Sequence, residues 1–290
     1  MNAFIHLNMI ETKSLGRDYI RGERALTVLD DVSFTVDSGE FVSITGPSGS
    51  GKSTLLGLLA GLDRPTRGSV HLAGQSLNEM DETSLSRFRG SRIGFVFQNF
   101  QLVPTLTALE NVSLPLRLQD KPDADARARE MLDRVQLTDR LNHYPTQLSG
   151  GEMQRVAIAR ASVIAPSILF ADEPTGNLDT ASGERVIDLL METKKHCTLV
   201  LVTHNPELAS LADREIRLLD GRVADIVTHR KTSSGNGRGT VRKKNSSGQG
   251  RAVATNKKKA SKKSSARTNS SKRSAEKKRS ASSSKGRVAR

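Results

Sequence analysis

Short apolar runs separated by polar turns organise most of this chain. The run Phe41–Thr45 predicts a buried strand, and the leucine-rich run Thr54–Ala60 predicts a helix directly after it. Similar apolar runs predict further strands at residues 32–36, 69–72, 94–97, 168–171 and 199–203. Because strands and helices alternate along the sequence, the pattern favours an α/β fold.

Residues 105–160 follow a helical pattern instead. Leu106, Leu109, Val112 and Leu116 have helical spacing up to Pro115. Two further helices are predicted at residues 123–135, where Asp123 can serve as the N-cap, and from Met153 to about Val163. This block is interpreted as a helical insertion in the alternating chain.

The turn between the first strand and its helix matches the phosphate-loop pattern Gly-x-x-x-x-Gly-Lys-Ser/Thr. The matching residues are Gly46, Pro47, Ser48, Gly49, Ser50, Gly51, Lys52, Ser53 and Thr54. A helix N-terminus after a glycine-rich turn directs unpaired N–H groups and the helix dipole at an anion. Lys52 would reach the terminal phosphates and the Ser53 hydroxyl would sit on Mg²⁺. The alternative is a glycine-rich turn that fits the pattern by chance.

Polar residues end two of the predicted strands. Asp172 and Glu173 follow residues 168–171, where an Mg²⁺-holding Asp and a base acting on water are expected beside a phosphate loop. His204 ends the strand 199–203 in the same way. The alternatives are two solvated acids and a histidine satisfied by local backbone. A Ser-Gly-Gly run at 149–151 opens a helix and forms a smaller candidate anion site, although alone it would indicate only a loop.

Charge divides the chain into two unequal parts. From Arg230 onward lie 21 of the 45 Lys and Arg residues but only Glu276 among the 31 acids, so the preceding part is slightly acidic. The segment 230–290 has almost no large apolar residues and is predicted to be disordered. Its interpretations are a solubilising appendage, an anionic-lipid anchor or a nucleic-acid tether.

Cellular location is constrained by what the sequence contains. Cys197 is the single cysteine, which excludes an intramolecular disulfide and favours a reducing compartment. The N-terminus lacks a basic start followed by an apolar core, and no apolar run approaches the ~20 residues that span a bilayer. We therefore expect a soluble or peripheral protein whose membrane role requires a partner.

In order and spacing, these motifs resemble the ATP-binding subunit of the ABC ATPase family over roughly residues 3–228. The matching segments are the Walker A motif at 46–54, the Q-loop at Gln98, the signature motif at 148–152, Walker B at 168–173, the D-loop at 177–179 and the switch histidine His204. Tyr19 is similar to the family's adenine-stacking aromatic, although from the residue alone a half-buried structural tyrosine is an equal alternative. Met153 departs from the family pattern, which usually has glutamine there.

The resemblance implies a P-loop NTPase core, with a mostly parallel sheet, an added antiparallel β-subdomain and a helical subdomain at about 100–162. It implies ATP and Mg²⁺ as cofactors, with Ser53, Gln98 and Asp172 around the metal. Glu173 would polarise the attacking water and His204 would hold the γ-phosphate. Two copies would pair head to tail, so that Ser149, Gly150, Gly151 and Glu152 of one copy face ATP on the other, with Asp179 in the D-loop.

Two further runs, 107–112 and 173–179, resemble the subfamily serving lipoprotein release, macrolide-type efflux and cell division. This implies an ATPase docked on a separate membrane permease, peripheral to the cytoplasmic face of the plasma (inner) membrane, and powering export or lipoprotein release. One alternative is the same ATPase driving a non-transport complex that regulates cell-wall hydrolases. The other alternative is an ABC ATPase that acts on nucleic acid, which the basic segment 230–290 suggests. The sequence does not indicate the transported substrate.

Overall fold

The computed structural model describes residues 8–22 and 24–229. The basic segment 230–290, with its predicted disorder, lies outside the described residues. The strands are β1 Asn8–Arg21, β2 Arg24–Asp37, β3 Phe41–Thr45, β4 Arg67–Leu72, β5 Gln75–Ser76, β6 Ile93–Val96, β7 Ile168–Asp172, β8 Thr198–Val202, β9 Arg214–Leu219 and β10 Arg222–Thr228. The helices are α1 Lys52–Leu59, α2 Glu82–Arg92, α3 Ala108–Arg117, α4 Ala124–Arg134, α5 Gly150–Ser162, α6 Thr180–Lys194 and α7 Pro206–Ser210.

A six-stranded sheet positions the predicted site. Its order is β10-β9-β3-β8-β7-β6, with parallel pairing from β9 through β6 and an antiparallel β10 at the edge. The central strands β3, β7 and β8 are buried almost throughout, which explains their continuous apolar sequence. Carboxyl ends of parallel strands meet at one edge, so the turns after β3, β6, β7 and β8 come together there.

The second sheet is the expected antiparallel β-subdomain. Its order is β2-β1-β4-β5, and β1 and β2 pair along their whole length with several register shifts. Residues 3–45 alternate polar and apolar in sequence, but within this long hairpin only residues 32–36 were predicted as a strand, because register shifts change the phase of the alternation. Leu29 and Val32 pack with Leu55 and Leu56 of α1 and with Ile44 of β3 in one cluster. Helix α1 is thus fixed between the two sheets.

Helices α3, α4 and α5 surround a separate apolar cluster, which includes Leu109, Val112, Leu132 and Val156. Two local expectations need correction. Pro115 does not end α3, which continues to Arg117, because proline near a helix end removes only one N–H bond. Asp123 occupies the N-cap of α4, but its side chain forms no capping hydrogen bond. The predicted domain limits, 3–228 with a helical part at about 100–162, stay predictions.

Within the described residues, no helix combines the length and apolar character that crossing a membrane requires.

Candidate functional site: a phosphate loop at the edge of the parallel sheet

Close backbone packing explains the glycines of the phosphate loop. Gly46 and Gly51 have φ angles of 147° and 95°, which other residues rarely adopt. A Cβ atom at Gly46 would lie 2.2 Å from the carbonyl oxygen of Leu218, and one at Gly51 would lie 2.6 Å from Cδ2 of Leu29. The loop therefore depends on glycine at both positions to reach its conformation.

The N-terminus of α1 presents hydrogen-bond donors to the site. The first bond of the helix runs from Leu55 N–H to the carbonyl of Gly51, so the N–H groups of residues 52–54 have no intrahelical acceptor. No described side chain caps this helix. Lys52 Nζ donates to the carbonyls of Gly46 and Pro47 at 3.0 and 2.9 Å, so its ammonium lies over the loop. Together these groups form a candidate anion site.

A cavity of about 520 Å³ brings the loop together with three of the other predicted site residues. Gln98, Glu173 and His204 line it beside Gly46, Ser48, Gly49 and Gly51 through Thr54. Val28 and Val202 complete the wall, and neither was predicted from the sequence, since an isolated valine carries no signal of chemistry. Pro47, Ser50, Asp172 and Tyr19 are not in its lining.

Asp172 and Ser53 form a candidate Mg²⁺ site. Ser53 Oγ lies 3.4 Å from Asp172 Oδ1. Burial raises the pKa of Asp172, and the charge of Glu173 adds to this, while hydrogen bonding from Ser53 and the charge of Lys52 oppose it. A carboxylate that is costly to ionise in the absence of a cation fits a metal-binding role. Mg²⁺ typically combines one or two carboxylates with substrate phosphates, which suits these oxygen donors.

Glu173 is held in an unusual backbone conformation at the end of β7. Its φ of 44° is left-handed, and its N–H donates to the carbonyl of Val202 on β8 at 2.9 Å. Such conformations cost free energy in non-glycine residues and concentrate at functional sites. The carboxylate Oε1 lies 2.8 Å from Nδ1 of His204, and this contact joins the ends of β7 and β8. The Glu173 side chain is 13% exposed, whereas that of His204 is 73% exposed.

The segment that follows Gln98 is tied down from two directions. Phe100 and Gln101 both have left-handed φ angles, and the half-buried Arg160 donates through its guanidinium to both carbonyls. Asn177 Nδ2 donates to the carbonyl of Gln98 at 3.2 Å. Sequence reasoning missed Arg160; the available signal was an arginine within the otherwise apolar C-terminal half of α5.

The Ser-Gly-Gly run begins α5 and forms a second helix N-terminus. Ser149 is the N-cap, and its Oγ accepts from Glu152 N–H at 3.3 Å while Glu152 Oε2 accepts from Ser149 N–H at 2.8 Å. The first helical bond runs from Met153 N–H to Ser149 O, so the N–H groups of Gly150 and Gly151 have no intrahelical acceptor. None of residues 149–152 lines the phosphate-loop cavity of the same chain.

Asp179 and Tyr19 have local partners. Asp179 caps α6 by accepting from Ser182 N–H at 3.0 Å, and this bond is the main reason its pKa is lowered. The Tyr19 hydroxyl donates to Asp63 Oδ2 at 3.0 Å, and Arg17 lies 4.5 Å from the ring centroid. The ring remains partly exposed. Base stacking on Tyr19 stays a prediction.

A larger cavity, of about 660 Å³, lies between α4, α5 and α6 and contains none of the predicted site residues. Its wall includes Cys197, whose pKa burial raises to about 11. A buried thiol of this kind is unreactive. The phosphate-loop cavity, although smaller, is therefore the candidate functional site.

Comparison with known proteins gives one consistent result. The ABC transporter family matches residues 29–176. The chain is 48% identical over 220 residues to the lipoprotein-releasing system ATP-binding protein LolD of Geobacter metallireducens, covering 74% of this chain and 98% of that protein. It is 44% identical over 236 residues to the macrolide export ATP-binding/permease protein MacB of Rhodopirellula baltica, covering 79% of this chain and 34% of that protein.

A solved structure agrees in both sequence and fold. It is the dimeric post-hydrolysis state of the ATP-binding cassette MJ0796 bound to ADP and Pi, with 43% identity and a TM-score of 0.73. The match covers 77% of this chain and 99% of that one.

Proposed function

This chain belongs to the ABC transporter family of ATP-binding proteins, and we propose that it hydrolyses ATP to power export or lipoprotein release through a separate membrane permease. The observation that carries the proposal is the convergence of the phosphate loop, Gln98, Glu173 and His204 on one cavity. The chain is accordingly an ATPase subunit of a transporter complex. The roles of individual residues below are part of the proposal.

In the proposed mechanism, the loop N–H groups and Lys52 bind the phosphates. Ser53 would hold Mg²⁺ with Gln98 and Asp172 in its shell, several of these contacts being through water, and the ion would neutralise phosphate charge. Glu173 accepts a proton from the attacking water, and His204 donates to the γ-phosphate. The Glu173–His204 contact keeps both side chains in place before nucleotide binds. Catalysis then comes mainly from positioning and charge stabilisation.

The proposed active unit is a head-to-tail homodimer. Ser149, Gly150 and Gly151 carry free donors but lie outside the cavity of their own chain, which supports a role toward ATP bound to a second copy. The solved cassette that this chain resembles is dimeric and holds ADP and Pi. Closure on ATP and reopening after hydrolysis would transmit force to the permease at the cytoplasmic face of the plasma (inner) membrane.

The names of the similar proteins LolD and MacB are consistent with lipoprotein release and with macrolide-type export, respectively. A non-transport complex regulating cell-wall hydrolases would use the same site and differ in its membrane partner. Purification of the intact complex from membranes and identification of the co-purifying permease decides between them. Recovery with no membrane protein, and with nucleic acid instead, would overturn the permease assignment.

For residues 230–290, we propose contact with anionic lipid, because the segment is strongly basic. Truncation after Thr228 should then lower retention on anionic vesicles at about 150 mM salt while leaving ATPase activity unchanged. Equal retention with and without the segment contradicts this contact, and retention on nucleic acid alone favours the alternative.

The ATPase proposal is tested by Glu173→Gln, which removes the base and keeps the shape of the side chain. Hydrolysis should fall by about 10²–10⁴-fold, the range for general-base catalysis. ATP binding, measured by thermal stabilisation, should persist. Glu207→Gln, an acid on nearby α7 outside the cavity lining, is the matched control. Near-normal turnover in Glu173→Gln would contradict the assignment.

A further inference from the structure

Helix α5, which begins within the signature motif, carries a negative charge in its first turn. Glu152 is the third helical residue, and its carboxylate folds back to accept from Ser149 N–H. That hydrogen bond is the main reason the pKa of Glu152 is lowered, so the group is ionised at neutral pH. Glutamate and glutamine both form this capping box, and only glutamate adds a charge.

This charge opposes the function proposed for the same helix end. Ser149 Oγ accepts from Glu152 N–H, which leaves the Ser149 hydroxyl hydrogen available to donate outward. The N–H groups of Gly150 and Gly151 add two further donors. A nearby carboxylate lowers the positive potential that these donors and the helix dipole offer to a phosphate.

Arg140 compensates for the carboxylate. It ends the short 3₁₀ turn Thr138–Arg140, and its Nε donates to Glu152 Oε1 at 3.0 Å. The two carboxylate oxygens of Glu152 are thus divided between Ser149 N–H and Arg140. In the part of the chain that the structure describes, Arg140 is the cation that forms an ion pair with Glu152, and Arg155 of α5 also interacts electrostatically with the same carboxylate. The Glu152 side chain is 20% exposed and that of Arg140 is 42% exposed, so solvent screens the pair only in part.

We propose that Arg140 is a positioning residue for the signature site: it neutralises and orients Glu152 so that the end of α5 can accept the terminal phosphate of ATP bound to a second copy. This inference rests on the head-to-tail dimer of the proposed function. Arg140 itself need not touch the nucleotide, because it acts through the capping carboxylate.

The test uses the full chain with Glu173→Gln, so that ATP is bound and not consumed. Adding Arg140→Met should raise the protein concentration for half-maximal ATP-induced dimerisation by roughly tenfold, since each dimer contains two signature sites and each loses about threefold. The effect should shrink at high salt. ATP affinity of the monomer should not change, because the phosphate loop is intact.

Rescue separates charge compensation from a structural role. Adding Glu152→Gln to Arg140→Met should restore dimerisation, because the capping bond remains and the charge is removed. Arg140→Lys, which keeps the charge, should stay close to the parent. Arg117→Met is the matched control, since it removes a similarly exposed arginine from an ion pair with Asp125 in the same helical region.

Each outcome bears on a different claim. Unchanged dimerisation in Arg140→Met, or failure of Glu152→Gln to rescue it, overturns the inference. If Arg140→Met lowers the melting temperature and Glu152→Gln restores neither folding nor dimerisation, Arg140 is structural and the inference is wrong. If Glu173→Gln with Arg140 intact does not dimerise with ATP, the proposed function fails instead.

Discussion

Helices α1 and α5 both begin at or just after glycines, and both have N-terminal N–H groups without an intrahelical acceptor, yet their surroundings differ. The N-terminus of α1 lies in a cavity with Lys52, Gln98, Glu173 and His204. The N-terminus of α5 has Ser149 as its cap and a carboxylate paired with Arg140, and it lies outside that cavity. The N-terminus of α1 thus lies among candidate catalytic residues, whereas the N-terminus of α5 offers only hydrogen-bond donors.

This difference fits the proposed head-to-tail dimer, in which each chain would contribute two complementary halves of a catalytic site. A helix N-terminus favours any anion, but hydrolysis also requires a base, a metal site and one positioned water in a site closed to bulk solvent. The α1 end has candidates for the base and the metal ligands. The α5 end can supply charge stabilisation to a nucleotide held elsewhere. Substitutions at the two ends should therefore produce different defects.

The largest effect on nucleotide binding should come from the α1 end. Lys52→Ala removes charge-assisted hydrogen bonds to phosphate, so ATP affinity should fall by about ten- to a hundredfold. The measurement is the rise in melting temperature with added ATP. Lys195→Ala is the control, because Lys195 pairs with Glu192 on the surface, away from the loop. If ATP raises the melting temperature of Lys52→Ala as much as that of the parent, the α1 end is not the nucleotide-binding end.

A smaller effect is expected where the adenine would lie. Tyr19→Ala should weaken ATP binding by about 1 kcal/mol, the lower end for base–aromatic stacking, because the ring is partly exposed. The Michaelis constant for ATP should rise about fivefold with little change in kcat. Tyr144→Ala, another exposed tyrosine, is the control. An unchanged Michaelis constant would mean that Tyr19 has only a structural role, through its contacts with Arg17 and Asp63.

The smallest effect concerns the last turn of α5, at the end of the helix opposite to Ser149. Arg160 near the end of α5 holds the carbonyls of Phe100 and Gln101, which follow Gln98 in the α1 cavity. Arg160→Lys keeps the charge but cannot reproduce the planar fork, so kcat should fall about two- to threefold at unchanged ATP affinity. Arg117→Lys serves as the control. A parallel loss of ATP affinity would place the defect in the α1 end instead.

Local sequence patterns were enough to predict α1, β3, β7 and β8, because each is a continuous apolar run bounded by turn residues. The glycines and Lys52 were predictable for the same reason, since phosphate loops are contiguous in sequence. The pairing of β1 with β2 was not, because register shifts break the alternation. Arg160 and Arg140 were missed because their partners lie far along the chain or depend on a turn whose geometry no short pattern specifies. The left-handed conformation of Glu173 is likewise fixed by β8 and not by neighbouring residues.

The proposed head-to-tail dimer is tested by measuring ATP binding and dimerisation separately in the same protein. Gly150→Asp places a carboxylate at the α5 end, and its Cβ would meet only ordinary contacts, the nearest 3.6 Å from Leu178, so the fold should tolerate it. Light scattering of Glu173→Gln with Mg²⁺ and ATP should give twice the chain mass of 31.5 kDa. The same protein with Gly150→Asp should bind ATP equally well and remain at 31.5 kDa. A dimer in both variants, or a monomer in both with ATP bound, would contradict the proposal that the two helix ends meet across a pair of chains.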